Sequence, residues 1–168
     1  MTESRAGLSP DRHELGLRRD ALTMALYVAL CLLGALSLLD GSLGGDRLQI
    51  VATIWGITIG LVLAHLFAFV ASAHVVGSGR LHPHDREAAL AHLAGGTAVA
   101  VLATVAVLLV PDAAELFIVR LVLSVFIGSV GYLMRRAVGA SRPRAFLFAL
   151  VLMAGAALIA QVKVNLSH

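Results

Sequence analysis

Apolar residues run along the chain in five long blocks with short polar punctuation between them: Ala21 to Leu39, Leu48 to Gly77, Ala88 to Val110, Ala113 to Met134 and Ala145 to Val162. An α-helix rises about 1.5 Å per residue, so roughly twenty apolar residues cross the hydrocarbon layer of a bilayer, and each block reaches or nearly reaches that length. The second block is the clearest, because the thirty-two residues between Arg47 and Arg80 include no Asp, Glu, Lys or Arg. In lipid every backbone group must find its partner internally, so the pattern predicts an all-α fold, a polytopic transmembrane helix bundle of five spans. The first block follows Arg18 and Arg19 but is long for a secretory signal and has no clear cleavage site after it, so it is taken as a retained helix.

The polar punctuation predicts orientation. Lys and Arg accumulate in cytoplasmic loops. Arg5, Arg12, Arg18 and Arg19 precede the first block, Arg80 and Arg86 follow the second, and Arg135, Arg136, Arg142 and Arg144 follow the fourth. The alternate connections hold only Arg47 and, after the last block, Lys163. The N-terminus is therefore expected in the cytoplasm and the C-terminus outside. Residues 1–20 read as a flexible cytoplasmic tail, 21–164 as a five-helix transmembrane domain and 165–168 as a short external tail. The loops are too short for a further domain, and they make neighbouring helices antiparallel.

Composition narrows the class. Hydrophobic residues are 59% of the 168, well above the share in a globular domain. The pI near 9.8 comes from arginines placed between apolar blocks rather than on one soluble face, so it reads as topology and not as nucleic-acid binding. Cys31 is the single cysteine, which excludes an intrachain disulfide and a multi-cysteine metal site. Twelve of the thirteen basic residues are Arg, and Ala, Gly, Leu and Val dominate, a bias that fits a bacterial chain and a plasma (inner) membrane location.

Within the blocks, small and polar residues recur at helical spacing. Thr58, His65 and Ser72 are seven apart and define a polar seam in the second span, with Gly56 and Gly60 forming a G-x-x-x-G pattern close by. Thr23, Tyr27, Cys31 and Gly34 do the same in the first span, His92, Gly96, Ala103 and Ala106 in the third, and Arg120, Ser124, Ile127 and Gly131 in the fourth. Such faces suit helix packing.

Three features carry candidate chemistry. His65 lies inside the second span, where an imidazole can bond to a neighbouring helix or relay a proton; its partner is expected on another helix, since Thr58 and Ser72 are two turns away. Arg120 lies inside the fourth, either snorkelling to the outer surface or pairing with Asp40, Asp46, Asp112 or Glu115, with Glu115 poorly placed at i, i+5. His65, Arg120, Thr58 and Ser72 are thus the ion or proton pathway candidates. His74, His82, His84, Asp85 and His92 gather at the cytoplasmic side, where a transition metal is the one cofactor the residue types would accept. Pro83, Asp85 and Glu87 also suit the first turn of a helix.

The sequence has no nucleophile elbow, phosphate loop or H-E-x-x-H helix, and no paired carboxylates inside the bundle, which disfavours an enzyme. The expected role is a non-catalytic interaction, assembly or accessory one, in contact with the lipid bilayer and with a membrane-protein partner or further copies of the chain. The alternatives are a small oligomeric ion or proton channel or transporter using His65 and Arg120, and a histidine-ligated membrane metalloprotein.

Overall fold

In the computed structural model the described residues, 10–39, 47–76, 83–111 and 114–166, form five helices: α1 (Pro10–Leu36), α2 (Arg47–Val76), α3 (Pro83–Leu109), α4 (Glu115–Ala137) and α5 (Arg142–Leu166). Each apolar block of the sequence lies within one helix, give or take a few residues at the ends. Four of them are long and apolar enough to cross a membrane, over His13–Leu36, Arg47–Ala71, Arg86–Leu109 and Glu115–Ala137. α1 begins well before the apolar run at Ala21, so residues 10–20 of the segment expected as a tail are helical. Pro10 and Pro83 open their helices, where a missing N–H costs nothing. The single positive-φ residue among the described ones is Gly139, at 81°, and it closes α4. Its N–H and that of Ala140 bond to the Arg136 and Arg135 carbonyls at 3.0 and 3.1 Å, the Schellman arrangement that a left-handed glycine permits.

α1 is the hub of the bundle and contacts all four other helices, most extensively α3. The two run parallel in register: His13 meets Glu87 at their N-terminal ends, and further along Gly95 packs against Ala21 and Gly96 against Met24 and Val28. A Cβ at Gly95 would fall onto the Ala21 carbonyl oxygen, so glycine is what lets the two backbones meet. α2 lies antiparallel on α3, tied by the Trp55 Nε1–H donating to Thr104 Oγ1 at 3.1 Å. α4 and α5 form a second antiparallel pair, in which Gly128 faces Ala149 and Met153, and Gly131 faces Leu152 and Phe148. The core where these pairs meet is Val28, Leu32, Leu36, Ile54, Ala103, Val107, Val119 and Leu123.

The outer surface is apolar. Leu109, Phe67 and Phe117 are 78%, 76% and 68% exposed, which would be costly in water and is ordinary against lipid tails. Buried alanines and glycines at the helix crossings, beside a core that also holds Leu32, Leu36, Ile54 and Leu123, let the backbones approach closely while further large apolar residues face outward.

Candidate functional site

Two clusters of polar groups sit inside the bundle, one towards each end. At the end where α2 and α4 begin, Glu115 is 1% exposed and accepts a bond from Nε of Arg47. The same guanidinium donates through Nη2 to the Val110 carbonyl at 2.8 Å, so one arginine fastens the start of α2 to the end of α3 and the start of α4. Glu115 Oε2 is buried with no hydrogen-bond partner among the described residues. Arg120 lies on the next turn of α4 and turns to α1, where Nε and Nη2 donate to the Leu36 carbonyl and Nη2 to the Leu39 carbonyl at 3.0 Å. It caps the negative end of α1, whose last carbonyls have no partner within the helix.

This alters the expectation for Arg120. Its partners are backbone carbonyls, and the buried acid beside it is engaged by Arg47 instead; the i, i+5 offset of Glu115 turns the two side chains away from each other, as their spacing predicts. Asp40, Asp46 and Asp112 lie outside the described residues. The Arg47–Glu115 pair was absent from the sequence reading. The sequence does carry a signal for it: Arg47 is the lone cation between the first and second apolar blocks and Glu115 the lone acid of α4.

At the other end, a cleft of about 430 Å³ opens between α1, α2 and α3, lined by Thr23, Met24, Tyr27, Leu61, Ala64, His65 and His92. The rings of His65 and His92 are 4.4 Å apart at 30°. His92 Nδ1–H donates to the Ala88 carbonyl at 2.7 Å, which fixes the tautomer and leaves Nε2 of the neutral ring as an acceptor. The Thr23 hydroxyl donates to the Arg19 carbonyl at 2.9 Å and so keeps its lone pairs for the cleft. Tyr27 is half-exposed and supplies a phenolic donor. The cleft thus offers acceptors at His92 and Thr23 and a donor at Tyr27, with the His65 imidazole on its wall.

The ring that His65 lies against is on another helix, that of His92, a residue whose place in the sequence groups it with His82 and His84. Thr58 is buried and donates to the Ile54 carbonyl at 2.8 Å, so its hydroxyl is satisfied within its own helix. Gly56 and Gly60 do not pack inside the bundle: a Cβ on either meets nothing within 4 Å. Ser72 and His74 fall on the last turns of α2, and His84 and Asp85 on the first turn of α3, with side chains outside the described set; His82 lies outside the described residues altogether. Among the described residues no group of three or more His, Cys, Asp or Glu converges.

No protein-family model, no characterised protein and no solved structure matches this chain.

Proposed function

We propose that the chain is a five-span protein of the bacterial plasma membrane, with its N-terminus in the cytoplasm and its C-terminus outside. Its role in this proposal is a non-catalytic one, as an interaction partner, assembly factor or accessory subunit. The fifth span rests on α5, a helix of 25 residues whose stretch from Ala145 to Val162 is free of charge and which packs antiparallel on α4. The orientation rests on the ten arginines gathered in alternate connections.

The observation that carries the role is the uncovered face of α2. Only 17% of its membrane window is buried, against 44% for α1, and Gly56 and Gly60 lie open on that face. A G-x-x-x-G face lets a second backbone approach closely, and this one is left unused by the chain's own helices. Arg47, Glu115 and Arg120 are meanwhile engaged in holding helix ends together. Purification in mild detergent from the native host, with identification of what co-purifies, tests the role. Gly56→Leu and Gly60→Leu should release the partner, or further copies of the chain, without loss of the fold; retention of every partner by the double variant would remove the proposal.

A second reading, an ion or proton route, is favoured by the contact of His65 and His92 in a cleft. The protein reconstituted alone would then move protons or ions, and His65→Gln would alter the rate. Silent proteoliposomes would end that reading.

A further inference from the structure

The α4–α5 pair leaves a second groove, of about 480 Å³, on the side away from the histidines. Its floor is where Gly128 meets Ala149 and Met153, and its walls are Tyr132, Leu133 and Phe146. Leu133 and Phe146 are more than half exposed, so the groove faces the surrounding lipid rather than the core. Along α4 it extends from Val125 to Tyr132, roughly 10 Å at the helical rise. That is a third of a bilayer core, too short a seat for a crossing helix and suited to a stretch of a single hydrocarbon chain.

What stands at its end is charged. The last turn of α4 carries Arg135 and Arg136 and the first turn of α5 Arg142 and Arg144, all exposed, and none of them forms an ion pair among the described residues. No Asp or Glu occurs anywhere after Glu115, so neither helix supplies a counter-charge at this end. The Schellman turn at Gly139 ends α4 just before α5 begins, so the two arginine pairs stand at the same end of the α4–α5 pair. Arg136 donates to the Ala140 carbonyl at 2.9 Å and Arg135 lies over the Phe148 ring at 5.1 Å, whereas Arg142 has no such contact and shares the groove face of α5 with Phe146, Ala149 and Met153; Arg144 falls on the opposite face. A guanidinium presents a planar fork of donors that matches a phosphate.

We propose that the α4–α5 groove and the arginine beyond its end form a binding site for an anionic glycerophospholipid, with one acyl chain in the groove and the phosphate on Arg142. An apolar groove and an unneutralised basic cluster at the level of the headgroups are the two halves of such a ligand. The site rests on the reading of α4 and α5 as membrane spans.

The test places the full chain in nanodiscs of dioleoylphosphatidylcholine doped with dioleoylphosphatidylglycerol and measures, by native mass spectrometry, which lipid it retains. Phosphatidylglycerol should be retained over phosphatidylcholine. Arg142→Gln should lower that preference about fivefold, the effect of one basic residue near an anionic surface, and Arg144→Gln, on the far face of α5, should lower it less. Ser129 is exposed beside the groove, and Ser129→Trp should fill it and abolish retention although all four arginines remain. A spin-labelled phosphatidylglycerol gives a measurement that needs no variant: its immobilised fraction should persist at high salt, where simple surface attraction is screened. Equal retention of the two lipids, unchanged retention by Ser129→Trp in a folded protein, or loss of the immobilised fraction in salt would overturn the site. Lipid-independent dimers that Ser129→Trp abolishes and that Gly56→Leu leaves intact would overturn it too, by giving the groove to a second copy. A chain that does not enter the discs overturns the membrane reading along with the site; one that enters as a helical protein and retains no phosphatidylglycerol overturns the site alone.

Discussion

The imidazoles of His65 and His92 lie against each other, 4.4 Å between centroids, and join α2 to α3 beside a cleft that Tyr27 of α1 completes. The His92 ring is oriented by its own helix, through the bond from Nδ1 to the Ala88 carbonyl. Nitrogen-15 spectra of the neutral protein should therefore show His92 protonated at Nδ1 and bare at Nε2. His65→Ala should shift the His92 ring signals and lower stability by about 0.5–1.5 kcal/mol, the worth of a ring pair. A His92 spectrum with the proton on Nε2 would rule out the orientation.

Removing Arg47 should be more damaging than removing the charge of Glu115. Arg47→Ala leaves a carboxylate buried at 1% exposure without its cation, a change that costs about 3–5 kcal/mol. Glu115→Gln keeps an acceptor for the guanidinium and removes the buried charge, and it should cost less. Unfolding in mixed micelles, followed by circular dichroism, gives the order of the two variants; the reverse order would mean that the pair does not fasten the three helix ends.

Arg120→Leu should fray the last turn of α1 although the two residues are far apart in sequence. The guanidinium holds the Leu36 and Leu39 carbonyls, and a charged hydrogen bond contributes about 1.5–3 kcal/mol. Hydrogen exchange should rise at Ser37, Leu38 and Leu39, whose amides bond to the carbonyls of that turn. Unchanged protection there would show the cap to be unimportant.

Two glycine substitutions should separate the closed and open faces of the bundle. Gly95→Ala places a methyl group on the Ala21 carbonyl oxygen, and backbone cannot yield as a side chain can, so a loss of about 1–3 kcal/mol is expected. Gly56→Ala meets nothing within 4 Å and should stay within about 0.5 kcal/mol of the parent chain. Thermal unfolding in detergent distinguishes them.

The sequence by itself determined the helices, because hydrophobic runs of this length admit one backbone solution in lipid and the polar residues between them end it. The polar faces were legible in part. Gly96, Gly131 and Ala103 do pack inside, whereas Gly56 and Gly60, of the same type and spacing, face outward. Spacing along one helix states which residues share a face and not which face a neighbour covers, and in lipid both faces are apolar enough to be either. Tertiary structure alone decided the partners: His65 with His92, Arg47 with Glu115, and Arg120 with the carbonyls of α1. These bonds join positions 27, 68 and 84 apart in the chain, brought together by the parallel approach of α1 and α3 and by how α2 and α4 lie around that pair. That approach turns on a single missing Cβ at Gly95, a packing fact that local periodicity cannot carry.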